Sequence, residues 1–147
     1  KKGVFLGSCA AGGMYAINSE NSPEYLKALV AEGMFPKFYE SMKNNLLVRK
    51  KNIFPILHNI NIIMKLYTGH SMKYGPIDVM PKMKKPLLML HSKEDKFSLP
   101  CNAQKLYDLC KSDYKKLVWF EKGAHSMLRV TDTDRYDNAI KDFLKGL

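Results

Sequence analysis

Apolar residues in this chain fall in short runs that alternate with stretches of helical periodicity. Residues 4–6 are an apolar run, and beyond a cluster of small residues the segment 10–17 is again apolar and suited to a helix. Residues 18–23 break the pattern, and a second strand is predicted at 26–31 (LKALVA), ended by Glu32 and Gly33. From Phe35 the positions Phe35, Phe38, Tyr39, Met42 and Leu46 recur at helical spacing, with Pro36 suited to a first turn. After the basic residues Arg49, Lys50 and Lys51, a longer helix is predicted over 53–67, stopped by Thr68 and Gly69.

The region from about 34 to 80 therefore carries no strand signal. It reads either as a helical, cap-like insertion beside a site or as a plain crossover connection. Residues 86–91 (PLLMLH) are a continuous apolar run of the kind a parallel sheet buries on both faces. Pro100 opens a helix whose apolar face is Ala103, Leu106, Tyr107 and Cys110, and residues 117–120 (LVWF) predict a fourth strand. The last helix starts near Thr133 and is expected to bury Tyr136, Ala139, Ile140, Phe143, Leu144 and Leu147. Strands separated by helices imply an α/β fold: a single domain, 1–147, built on a parallel sheet of about four strands with right-handed crossovers and flanking helices.

Composition narrows the classes. A chain of 147 residues with 46% hydrophobic content has the means to bury a core, which excludes global disorder. The net charge of +10 would permit binding to nucleic acid or an anionic membrane. The basic residues are scattered, however, and the two dense groups, 49–51 and 82–85, lack interleaved aromatics, so they read as solvated surface. Neither nucleic acid nor membrane is an expected partner. No apolar run approaches the roughly 20 residues needed to cross a bilayer.

The three cysteines, Cys9, Cys101 and Cys110, give neither a disulfide framework nor a CxxC metal pattern, so a reducing, cytoplasmic setting is expected. The chain shows no signal peptide, and Lys1 reads as an internal residue. HExxH, paired histidines at helical spacing, GxGxxG and the P-loop lysine are all missing from the sequence. No cofactor or metal is expected.

In open α/β sheets ligands bind at the carboxyl ends of the strands, and three of the four loops there hold reactive groups. Ser8 and Cys9 follow the first strand. Ser92, Lys93, Glu94 and Asp95 follow the third, with Phe97 and Pro100 beyond, and Lys122, Gly123, Ala124, His125 and Ser126 follow the fourth. Nucleophile, acid and histidine thus appear in that chain order.

With these motifs, GVFLGSCAAGGMYA at 3–16, the DxFxxP-like segment 95–100 and the Gly-Ala-His turn at 123–125 before a final amphipathic helix, the chain resembles the C-terminal half of the α/β-hydrolase family. It looks most like small bacterial esterase-like and serine-peptidase-like members. The resemblance implies that Asp95 is the triad acid and His125 the general base. Glu94 is the rival to Asp95, but Asp95 stands two residues before Phe97 and five before Pro100, as the family pattern has it.

The nucleophile departs from that pattern. The family's turn is small-x-nucleophile-x-small; centred on Ser8 the flanks are Leu6 and Ala10, and centred on Cys9 they are Gly7 and Ala11, with Gly12 next. Sterics favour Cys9, and some members of the fold use a Cys, His and Asp set. Ser8 stays a candidate, as does the absence of any working nucleophile. The N–H of Ala10 would be one oxyanion donor in the Cys9 register.

Blander roles compete at each position. Cys9 could be a small buried hydrophobe and His125 an ordinary loop histidine. Cys110 reads as buried, Cys101 as a surface thiol, His91 as structural, and His58 and His70 as residues without function.

Two functions follow. One is an acyl hydrolase acting on an ester or peptide-like small molecule with a Cys or Ser nucleophile; the alternative is a non-catalytic binding or interaction domain that keeps the scaffold. A complete hydrolase of the resembled kind has an earlier half before this turn, which supplies the second oxyanion donor. The first strand is therefore expected to be an apolar edge covered by that N-terminal half or by a symmetry mate. The chain alone is expected to turn over little, since losing one oxyanion donor costs on the order of 100-fold or more.

Overall fold

The computed structural model describes residues 3–147; Lys1, where the sequence opens, lies outside the described residues. Four strands, β1 (Gly3–Ser8), β2 (Leu26–Glu32), β3 (Leu87–Ser92) and β4 (Lys115–Phe120), form one sheet in the order β1-β2-β3-β4. Every neighbouring pair is parallel. The connections contain α1 (Ala10–Ile17), α2 (Phe38–Val48), α3 (Ile56–Thr68), α4 (Pro76–Val79) and α5 (Pro100–Leu109), and α6 (Leu128–Thr131) and α7 (Thr133–Leu144) follow β4.

Alternation along the strands sorts side chains onto two faces. Leu29, Ala31, Leu87 and Met89 pack with Tyr15 and Ala16 of α1, Met80 and Met83, and Ala103 and Leu106 of α5. On the other face Ala28, Val30, Leu88, Leu90 and Phe120 meet Leu128, Tyr136 and Phe143 of α6 and α7. Every residue of β3 is buried, as its unbroken apolar run requires. A separate small cluster, Leu46, Leu57 and Met72, joins α2 to α3. Among the described residues no helix is long and apolar enough to cross a membrane.

The expected helix from Phe35 starts instead at Phe38. Pro36 disfavours helical geometry at Phe35, and its carbonyl accepts the Ile77 N–H at 3.2 Å; Lys37 is extended, and α2 follows it. The next helix begins at Ile56 rather than 53. β4 starts two residues earlier than the apolar run suggests, because Lys115 and Lys116 pair with Leu87 and Leu88 while the Lys115 ammonium reaches over to donate to the Tyr107 and Cys110 carbonyls at 2.7 and 2.8 Å. In α7, Tyr136 and Phe143 are buried and Ala139 and Ile140 partly so, as the spacing implies. Leu144 and Leu147 are exposed; the helix ends at Leu144, and beyond it Gly146 is the residue that packs on Tyr114.

Candidate active site

The strand-to-helix turn after β1 is built by backbone crowding. A Cβ on Gly7 would lie 2.6 Å from the Gly12 nitrogen and 2.8 Å from its Cα, and a Cβ on Gly12 would lie 2.9 Å from the Gly7 carbonyl oxygen. Only two glycines let strand and helix approach this closely. Between them Cys9 adopts φ 50°, ψ −115°, a conformation that costs a non-glycine residue about 1–3 kcal/mol. The turn is held by Cys9 N–H donating to the Glu32 carbonyl at 2.8 Å and Gly13 N–H donating to the Cys9 carbonyl at 3.3 Å. Ala10 is the first residue of α1, so its N–H has no acceptor within the helix.

Asp95 sits in the loop after β3 with its carboxylate buried. Oδ1 accepts the N–H groups of Phe97 and Ser98 at 2.8 and 2.9 Å, and Oδ2 accepts from Nδ1 of His125 at 2.7 Å. That bond places the proton on Nδ1 and leaves Nε2 as the free face of the ring. Nε2 is buried without a formed hydrogen bond, and after Asp95, Cys9 is the neighbour that favours the charged ring. A base and thiol so placed often close into a full hydrogen bond only when substrate is bound. Phe97 stands edge-on to the imidazole at 5.4 Å.

Electrostatics follow from the same contacts. Burial alone would lower the His125 pKa, but Asp95 and then Cys9 stabilise the charged ring and raise it from 6.5 to about 10. Burial would raise the Asp95 pKa, yet His125 and the Ser98 and Phe97 N–H groups hold it below its ordinary value. His91, fully buried, donates from Nε2 to the Ser98 carbonyl at 2.8 Å. Desolvation lowers its pKa, so it is a neutral strut under the loop that carries Asp95.

Ser8 stands elsewhere: its hydroxyl donates to Ser126 Oγ at 2.6 Å, linking the end of β1 to the loop that carries His125. Glu94 is exposed, with Oε2 accepting the Gly123 N–H at 3.4 Å rather than reaching the imidazole. Cys110 is buried and its thiol faces the Met83 carbonyl at 3.9 Å, while Cys101 and His58 are exposed. His70 is exposed and stacks on Tyr74 at 5.3 Å. Among the described residues no three His, Cys, Asp or Glu side chains cluster as metal ligands would.

Two residues at the end of β2 escaped the sequence reading. Glu32 is buried, with Oε1 accepting the Leu128 N–H at 3.0 Å and Oε2 accepting the Tyr136 hydroxyl at 3.1 Å. Burial and this carboxylate hold the Tyr136 phenol above its ordinary pKa, so it stays a donor. Gly33, at φ +60°, packs so closely that a Cβ there would lie 3.1 Å from His125 Cε1 and 3.6 Å from Asp95 Oδ2. A carboxylate inside an apolar strand, with a glycine after it, was the available signal.

Two hollows flank the site. One, of about 280 Å³, runs from Ala10 and Met14 to Phe35, Phe38 and Met64. The other is a wider groove of about 670 Å³ bordered by Asp95, Phe97 and His125 and by Val48 at the end of α2. α2 is fastened over that groove's wall by Asn44 Nδ2, which donates to the Phe97 carbonyl at 3.1 Å.

No protein-family model matches the chain. It is 28% identical over 95 residues to the uncharacterized protein YqkD of Bacillus subtilis (strain 168), a match over 64% of this chain and 31% of that protein. Among solved structures, an esterase of Pyrococcus furiosus superposes with a TM-score of 0.72 at 14% identity, over 97% of this chain and 52% of the esterase. An α/β hydrolase from a sediment metagenome of the Mar Chica lagoon, Morocco, gives 0.64 at 18% identity, over 99% and 62%. The acylaminoacyl peptidase of Pyrococcus horikoshii gives 0.61 at 22% identity, over 95% and 22%. The chain thus spans about a third of its curated relative and about half of the esterase. Its fold is that of the α/β hydrolases.

Proposed function

We propose that this chain carries the reacting residues of an acyl hydrolase for ester or peptide-like substrates, with Cys9 as nucleophile, His125 as general base and Asp95 as the acid that orients it. The observation that carries this reading is the positive φ of Cys9 at a strand-to-helix turn with the His125 ring beside it. A strained non-glycine residue persists only where its surroundings enforce it, and such positions gather at reactive sites.

In this reading Nε2 of His125 carries the proton given up by the Cys9 thiol, since its contacts favour the charged ring, while Asp95 keeps Nδ1 protonated and stabilises the imidazolium. Sγ attacks the acyl carbon, and the Ala10 N–H stabilises the developing oxyanion. The bond to the leaving group breaks as that group takes the proton from His125. Water then attacks the thioester carbon, gives a proton to His125 and frees the thiol. Ser8, through Ser126, positions the loop that carries His125. A thiol nucleophile stays active in a reducing compartment such as the cytoplasm.

The catalytic unit in this proposal includes further strands pairing along the open edge of β1, from an N-terminal half or a second copy, which would bring the second oxyanion donor. Residues 34–80 act as a cap over the site. Robust hydrolysis of a simple aryl ester by the 147-residue chain alone would overturn the need for added strands.

The test is site-resolved labelling. Iodoacetamide is expected to modify Cys9, and His125→Ala to slow that reaction by about 100-fold or more, the scale of general-base assistance. Fluorophosphonate capture at Ser8 would move the nucleophile one residue back. Labelling indifferent to His125→Ala would instead make this a binding domain on a hydrolase scaffold.

A further inference from the structure

Resting on that reading, we infer that the cavity at Ala10 is the acyl subsite, and that it selects an unbranched or monoaromatic apolar acyl group of roughly eight to ten carbons. Direction comes from the chemistry around the tetrahedral carbon. Its sulfur is Cys9, its oxyanion turns to the Ala10 N–H, and its leaving group must face His125, which supplies the proton. His125 borders the wide groove, so the leaving group departs there. The one remaining substituent, the acyl chain, is directed to the Ala10 side, where the narrower cavity begins.

That cavity favours apolar matter. Its walls are Met14 on α1, Phe35, Phe38, Met64 on α3, and Pro76. Three of the polar side chains along it are already engaged: Thr68 Oγ1 donates to the Met64 carbonyl at 2.7 Å, Ser71 Oγ to Asn61 Oδ1 at 3.0 Å, and Asn18 Nδ2 to the Met14 carbonyl at 2.8 Å. His70 and Tyr74, the other polar side chains of the lining, are exposed and stack on each other with ring centroids 5.3 Å apart. The volume of about 280 Å³ is roughly twice the ~150 Å³ that holds a benzene in an apolar cavity, which sets the length limit.

The experiment uses N-alkyl iodoacetamides, from N-methyl to N-dodecyl, on the 147-residue chain, with rates at Cys9 read by peptide mass and normalised to glutathione. In each case an S–C bond forms and iodide leaves, so reactivity is shared and the alkyl group alone is varied. The expected result is a rise of about fourfold per buried methylene that levels off near N-octyl or N-decyl, with no gain at N-dodecyl. Met64→Trp, which fills the cavity, is expected to flatten the series, and Phe38→Ala, which enlarges it, to carry the rise to longer chains. If one variant fails to fold, the wild-type series and the other decide.

A flat series with Cys9 still labelled in a His125-dependent way overturns the subsite and leaves the hydrolase reading standing. A rise that continues undiminished to N-dodecyl overturns the length limit. Labelling without His125 dependence overturns the hydrolase reading, and the acyl assignment with it.

Discussion

At the residue scale, the His125 ring is held between three neighbours that each set one of its properties. Asp95 fixes its tautomer, Cys9 favours its charged form, and Gly33 leaves it room. Gly33→Ala forces a side chain into a left-handed backbone and within 3.1 Å of Cε1. It is expected to lower stability by about 1–3 kcal/mol and Cys9 reactivity by about 10- to 100-fold through a displaced ring, read by urea midpoint and alkylation rate. Tyr136→Phe leaves Glu32 Oε2 without its donor and should cost about 1–3 kcal/mol, measurable by the same midpoint.

Stability should also depend on pH at both ends. The folded His125 pKa of about 10 lies above its ordinary 6.5, so its contribution is fully present below 6.5 and is lost as pH rises through about 10. Asp95 is shifted down from 3.8, so its contribution is present above 3.8 and is lost as pH falls through its lower folded value. In His125→Ala the alkaline decline between 6.5 and 10 should flatten, as followed by urea midpoints across that range. The spacing of Asp95 to Phe97 and Pro100 and the Gly-Ala-His turn made two of these residues legible in the sequence. Glu32 was not, because its partners Leu128 and Tyr136 lie 96 and 104 residues away and no local pattern announces such a pairing.

At the element scale, the turn after β1 depends on the meeting of Gly7 and Gly12. Gly7→Ala puts a methyl group 2.6 Å from a backbone nitrogen that has no means of yielding. A loss of about 1–3 kcal/mol is expected from such overpacking, seen as a lower melting temperature together with slower Cys9 alkylation. Apolar periodicity located all four strands and the long helices, because each buries a regular face. It misplaced ends where another segment intervenes: the Pro36 carbonyl is taken by Ile77, and the Lys115 ammonium is taken by the carbonyls of Tyr107 and Cys110. The short α4 and α6 have no periodicity to read; each is a single turn defined by tertiary contacts.

At the scale of the whole molecule, the parallel sheet gathers the ends of β1, β3 and β4 at one rim, which is why residues far apart in sequence meet there. Pattern alone conveyed this topology, since strands separated by helices leave few other arrangements. That the Ser8 hydroxyl turns to Ser126 was not legible, because a shift of one residue turns a side chain to the opposite face of a strand. Ser8 and Cys9 differ by that single step.

Among the described residues β1 pairs on one side only, with β2, whereas β2 and β3 are flanked on both. The strand that delivers Cys9 is therefore the outermost layer of the hydrogen-bonded ladder, and local opening begins at such margins. Backbone amides of Val4 to Ser8 should exchange with deuterium well before those of Leu87 to Ser92. On gentle heating, the thiol should lose its distinctive reactivity before the amides of β3, whose residues are all buried, lose their protection from exchange.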